Sequence, residues 1–214
     1  MKYIEKLQYI THDIPHLSHI EQVQQACEAG AKWIQYRCLS KNDEELLQDI
    51  KAIAEICDDW GTTLIVTDHV HLNGKADIQG FHIEDMDADF ITLRKLVGDD
   101  ITLGGSANTI ENLIRLEKEG ADYAGYGPYA ATETKPNDYT LLGIEDYQNA
   151  VKKLQDQNIN LPVLAVGGIK TYDVEALMHT GIYGVAVSGA INFADDFIET
   201  YQDFYSLVKE STVN

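Results

Sequence analysis

Positive charge is scarce in this chain. Sixteen Lys and Arg residues face 35 Asp and Glu over 214 residues, for a formal net charge of −19. A phosphate backbone demands a basic face, so no nucleic-acid partner is expected. An anionic small molecule stays open, provided local cations, backbone N–H groups or a metal override the global field. Long apolar runs are also missing. No stretch approaches the about 18 apolar residues of a membrane span, so no membrane partner is expected. The start, MKYIEKLQYI, mixes acid and base without an apolar stretch, and no secretory signal is expected from it. Cysteine is sparse: Cys27, Cys38 and Cys57 lie far apart with no C-x-x-C spacing. Small core residues in a reduced cytoplasmic protein are the simplest expectation. No G-x-G-x-x-G follows the first β-rich run, which argues against a doubly wound nucleotide-binding sheet. No linker or low-complexity segment divides the chain.

What is present is alternation. Hydrophobic residues make up 44% of the sequence, enough for a sizeable core. Short, nearly all-apolar runs occur at Leu7–Ile10, Trp33–Arg37, Thr63–Val66, Gly80–Ile83, Thr102–Gly104, Tyr123–Tyr126, Val163–Val166 and Gly184–Val187. Strands buried on both faces have this composition. Helical stripes separate them. Leu46, Ile50, Ile53 and Cys57 follow one such stripe, and Phe193, Phe197, Tyr201, Phe204 and Val208 another. Asn42 with Glu45, and Asn108 with Glu111, carry the spacing of helix caps. Gly30, Gly61, Gly120 and Gly181 close helical runs just ahead of strands. Eight β-α units predict a single (β/α)8 TIM barrel over residues 1–214. The third unit is the weak one, because HLNGKAD leaves room for barely two helical turns.

A barrel of this kind carries its chemistry at the C-terminal ends of its strands. The residues there are Gln35 and Arg37; Thr67, Asp68 and His69; Glu84, Asp85 and Asp87; Ser106 and Asn108; Thr132, Thr134 and Lys135; Gly167 and Gly168; Ser188 and Gly189. Glycine-containing turns after the last two strands expose backbone N–H groups suited to a phosphate, although glycines can also serve only tight turns. Asp68 and Asp87 are candidate Mg²⁺ ligands, since magnesium takes one or two carboxylates plus phosphate oxygens and water. Glu84 and Asp85 are rivals on the same loop, and either aspartate could equally be a cap. His69 and His71 form an H-x-H pair that zinc hydrolases also use. Arg37 and Lys135 are the cations able to reach a diphosphate, and Pro136 biases Lys135 to extended backbone.

The ordered series WIQYR, TDHV, GFHIEDMD, GGSANT, GADYAGYGPYAATETKPND and VLAVGGI resembles the thiamine-phosphate synthase family across nearly the whole chain. The resemblance implies a transferase. It joins hydroxymethylpyrimidine diphosphate to a thiazole phosphate by a dissociative, Mg²⁺-assisted substitution and releases pyrophosphate. It also implies roles: Gln35 hydrogen-bonding the pyrimidine, Thr67 among the substrate-binding residues, and Arg37, Ser106 and Lys135 on the diphosphate. Asp68 and Asp87 would carry Mg²⁺. Thr132, Thr134, Gly168, Val187, Ser188 and Gly189 would hold the thiazole phosphate. The implied partners are small phosphorylated heterocycles, with homo-oligomerisation left open. The chain departs from the family pattern at Leu39, where a lysine is usual and Lys41 is the nearest substitute. It departs again at Thr67, Glu84-Asp85 and Ala130-Ala131. Two related alternatives are a thiazole tautomerase and a non-catalytic barrel that binds thiazole phosphate. The tautomerase would carry a histidine near Asn108 and lack the T-x-T-K loop.

Overall fold

Each of the eight short apolar runs becomes a strand in a computed structural model that describes residues 2–132 and 139–211. The strands are β1 (Leu7–Ile10), β2 (Trp33–Tyr36), β3 (Thr63–Thr67), β4 (Gly80–Ile83), β5 (Thr102–Ala107), β6 (Tyr123–Tyr126), β7 (Val163–Val166) and β8 (Gly184–Val187). Each pairs in parallel with the next, and β1 pairs with β8 to close the barrel. The helices are α1 (His19–Glu28), α2 (Asp43–Trp60), α3 (Phe90–Val97), α4 (Ile110–Lys118), α5 (Ile144–Asp156), α6 (Thr171–Met178), α7 (Gly189–Asn192) and α8 (Phe197–Glu210). Between β3 and β4 only a 3-10 turn, Val70–Leu72, is present, as the short HLNGKAD segment dictates. The result is a (β/α)8 TIM barrel. None of its described helices is long and apolar enough to cross a membrane.

Side chains alternate between the two faces of a strand. Leu7, Tyr9, Ile34, Tyr36, Leu64, Val66, Phe81 and Leu103 belong to the large apolar layer between barrel and helices. The alternate positions Trp33, Ile65, Tyr123, Leu164 and Ala186 form a separate cluster inside the barrel. Trp33 meets Tyr123 edge-on with ring centroids 4.8 Å apart. Gly104 makes that possible, since a Cβ there would stand 2.2 Å from the Tyr123 ring. Two residues further along the same strands, the interior turns polar: Gln35 follows Trp33, Thr67 follows Ile65, and Ser106 follows Gly104. An aromatic floor thus supports a polar mouth at the C-terminal ends.

Helix α2 illustrates the outer layer. Leu46, Ile50, Ile53 and Cys57 are buried along one stripe, each fully buried aliphatic side chain contributing about 1.5–3 kcal/mol. Asn42 and Glu45 form the expected capping box, and Gly61 ends the helix in the left-handed region at φ 60°. Two expectations are corrected. Thr109, not Asn108, caps α4, with Asn112 completing the box. Asn108 instead donates to the carbonyls of Gly127 (2.7 Å) and Thr140 (3.0 Å), so its amide is engaged in joining loops. Phe193 falls outside α8 and is exposed, whereas Phe197, Tyr201, Phe204 and Val208 form the buried stripe. All three cysteines are buried thiols.

Candidate active site

A cavity of about 500 Å³ opens at the C-terminal mouth. Of the site residues expected from the sequence, Gln35, Arg37, Ser106, Thr132, Gly168, Val187, Ser188 and Gly189 all line it. Thr134 and Lys135 lie outside the described residues. Thr67, Asp68 and Asp87 are not in the lining. Thr67 is instead the buried partner that accepts a hydrogen bond from Gln35 Nε2 at 2.8 Å. That bond fixes the Gln35 amide and leaves its Oε1 buried without a hydrogen-bond partner among the described residues. A buried acceptor with no donor costs free energy unless a ligand satisfies it.

Arg37 sits one residue past β2 and is buried. Its Nε donates to Glu84 Oε1 at 2.8 Å and its Nη2 to Glu84 Oε2 at 3.3 Å. This two-pronged, charge-assisted contact sets the plane of the guanidinium. The Glu84 backbone N–H donates in turn to Asp68 Oδ1 at 3.0 Å, tying the loop after β4 to the end of β3. Asp68 occupies the left-handed region at φ 53°. Asp87 is exposed on the loop after β4, and its N–H donates to Asp85 Oδ1 at 2.9 Å. Magnesium asks for hard carboxylate oxygens from few protein groups. Asp68 and Asp87, on successive loops, fit that donor chemistry.

Ser106 is part of β5, which runs to Ala107 because its last residues pair with Gly125 and Tyr126. Its Oγ lies 3.1 Å from His82 Nε2. His82 Nδ1 lies 3.0 Å from the Tyr123 hydroxyl, which accepts from Gln8 Nε2 at 3.2 Å. With Gln8 donating to it, the Tyr123 hydroxyl can direct its own proton to Nδ1. In that tautomer the imidazole proton sits on Nε2, aimed at Ser106. Burial pushes the Tyr123 hydroxyl well above its ordinary pKa, so it keeps that proton. His82 and Gln8 were not anticipated as site residues. The signal was strand parity: His82 stands two residues before Glu84 on the inward side of β4, and Gln8 alternates with the outward Leu7 and Tyr9 of β1.

The opposite wall sets glycine turns among apolar side chains such as Val166, Ile169 and Phe193. Gly167 and Gly168 have φ values of 94° and 66°. A Cβ on Gly168 would stand 2.7 Å from the Ala131 carbonyl oxygen. Ser188 Oγ accepts from Asn192 Nδ2 at 3.1 Å, and Gly189 opens α7. Lys170, exposed at the edge of the cavity, is a further cation beyond those expected from the sequence. Lys41 does not take the place of the missing lysine at residue 39. Its Nζ pairs with Asp49 Oδ2 at 2.5 Å on α2, a bond that raises its pKa. Leu39 itself is 65% exposed.

The family profile described as thiamine monophosphate synthase matches residues 7–191. The thiamine-phosphate synthase of Bacteroides fragilis is 37% identical over 193 residues, which cover 90% of this chain and 95% of that protein. The thiamine-phosphate synthase of Caldivirga maquilingensis is 33% identical over 189 residues, 87% of this chain and 88% of that one. Among solved structures, the thiamine phosphate pyrophosphorylase from Pyrococcus furiosus matches with a TM-score of 0.83 at 26% identity, covering 96% of both chains.

Proposed function

The chain belongs to the thiamine monophosphate synthase family, whose named members are transferases, and we propose that it makes thiamine phosphate from hydroxymethylpyrimidine diphosphate and a thiazole phosphate. The observation that carries this reading is the single cavity that gathers Gln35, Arg37, Ser106, Thr132, Gly168, Val187, Ser188 and Gly189. A volume of about 500 Å³ falls in the ordinary range for small-ligand sites.

The chemistry follows from charge. Pyrophosphate leaves first, and a pyrimidine-stabilised cation remains for the thiazole nitrogen to attack. Negative charge accumulates on the leaving group, so catalysis depends on donors already aimed at it. Arg37, oriented by Glu84, and Ser106, oriented by His82, supply two of them. Lys135 is assigned the third. Gln35 presents its unsatisfied Oε1 to a donor on the pyrimidine, and Thr67 holds that amide in place. Thr132, Thr134 and the turns at Gly168 and Val187–Ser188–Gly189 are assigned the thiazole phosphate, with backbone N–H groups as the main donors. Asp68 and Asp87 would hold Mg²⁺, which supplies neutralising charge for the diphosphate oxygens. No general base is needed, because the nucleophile is a nitrogen lone pair. The cavity walls align the two heterocycles and keep water from quenching the cation.

The test is direct. The purified chain is incubated with both phosphorylated heterocycles and Mg²⁺, and products are resolved by chromatography. Thiamine phosphate and pyrophosphate in equal amounts are expected. Binding of the thiazole phosphate with no coupled product would instead favour a tautomerase or a non-catalytic role.

A further inference from the structure

His69 and His71 take no part in the cavity. They are not on a strand, as the H-x-H spacing allowed, but on the turn after β3. His69 is left-handed at φ 41°, directly after left-handed Asp68 at φ 53°. Two successive non-glycine residues in that region cost roughly 1–2 kcal/mol each, so the surrounding structure must hold this turn firmly. Buried Leu72 anchors its far end. The turn sets the two imidazoles edge to face, with 5.7 Å between centroids.

Both rings also face Asp43, the first residue of α2, which the Asn42–Glu45 capping box positions. Asp43 Oδ2 is 2.8 Å from His71 Nε2, and Asp43 Oδ1 is 3.9 Å from His69 Nδ1. One donor atom from each of the three residues lies within 4.8 Å of the others. A tetrahedral zinc ion, with bonds of about 2.0–2.2 Å, sets its ligand atoms roughly 3.3 Å apart. Small side-chain rotations therefore close this cluster around an ion. A plain hydrogen bond accounts for His71, whereas His69 stands 3.9 Å from the same carboxylate, beyond hydrogen-bond reach.

We propose that Asp43, His69 and His71 form a surface site for a borderline divalent transition-metal ion, with zinc the best match. Two neutral imidazole nitrogens and one carboxylate oxygen are the ligand types that zinc shares with other borderline ions and that magnesium does not favour. The side chains are 64%, 32% and 50% exposed in that order. The ion is therefore reachable from solvent and keeps water as its remaining ligand. The chain's net charge of −19 favours cation approach. This site is separate from the proposed coupling reaction and stands without it.

The other such cluster among the described residues, Asp13, His19 and Cys38, is already satisfied without an ion. Asp13 accepts from Leu39 N–H at 2.8 Å, Ser40 Oγ at 2.5 Å and Cys38 Sγ at 3.3 Å. A titration distinguishes the two. Tag-free protein, stripped of metal and held in excess magnesium, is titrated with zinc against a chromophoric chelator, and with cobalt(II) to read the ligand field. One saturable zinc per chain with micromolar affinity is expected, and the cobalt spectrum shows no thiolate charge-transfer band. His71→Ala and His69→Ala should each weaken binding about tenfold or more, and the double variant should abolish it. All three variants should melt as the parent does, because the residues are partly or largely exposed. Three results would overturn the proposal: no saturable binding below millimolar zinc, undiminished binding by the double variant, or loss of binding in Cys38→Ser instead.

Discussion

The two walls of the cavity are built on different plans. On the side of β2 to β5, side chains do the work and hold one another: Thr67 fixes Gln35, Glu84 fixes Arg37, and His82 lies against Ser106. On the side of β7 and β8, the backbone turns at Gly167, Gly168, Ser188 and Gly189 line the cavity between apolar side chains such as Val166, Ile169 and Phe193. The first wall suits a leaving group whose charge grows during reaction, because its donors are fixed before the charge appears. The second suits a phosphate that keeps its charge throughout and only needs a seat. Interlocked side chains can be tuned or lost one at a time. A backbone seat is lost only if something fills it.

Perturbations should therefore separate the walls. The largest effect is expected from removing the metal: with EDTA in excess, turnover should fall to background, and full activity would take Asp68 and Asp87 out of the diphosphate site. Lys135→Ala should lower kcat by roughly two to three orders of magnitude, the scale for losing one preorganised donor, as read by steady-state assay. Gly168→Ala should act on the other wall alone. Its φ of 66° costs alanine roughly 1–2 kcal/mol, and its Cβ collides with the Ala131 carbonyl. A rise in KM for thiazole phosphate of roughly tenfold, the equivalent of about 1.4 kcal/mol, is expected with the diphosphate KM unchanged. The smallest effect belongs to Leu39→Lys. An exposed added cation contributes about 0.2–1 kcal/mol, so the diphosphate KM should drop by at most about fivefold.

The same contrast explains what the sequence made legible. The turns after β7 and β8 are written in glycines, and Gly167-Gly168 and Ser188-Gly189 could be placed at the cavity from order and spacing alone. All eight strands were likewise readable from their apolar runs, with ends shifted where pairing decides, as at β5. Partners distant in sequence were not readable. Nothing local tells that Arg37 meets Glu84, 47 residues away, or that Lys41 turns to Asp49 instead of replacing the lysine missing at Leu39. Asn108 resembled a helix cap because Glu111 follows at the right spacing. The neighbouring Thr109 won that place, and Asn108 serves two carbonyls across the mouth. The H-x-H pair shows the same limit: period two permits a strand, but left-handed backbone at Asp68 and His69 makes it a turn.

The central claim is that two walls of one cavity seat two different substrates. Isothermal titration of thiazole phosphate into the parent, Arg37→Ala and Gly168→Ala tests it most directly. Arg37→Ala is expected to bind thiazole phosphate as the parent does, and Gly168→Ala to bind it roughly tenfold more weakly. Weakened binding in Arg37→Ala alongside parental affinity in Gly168→Ala would contradict it.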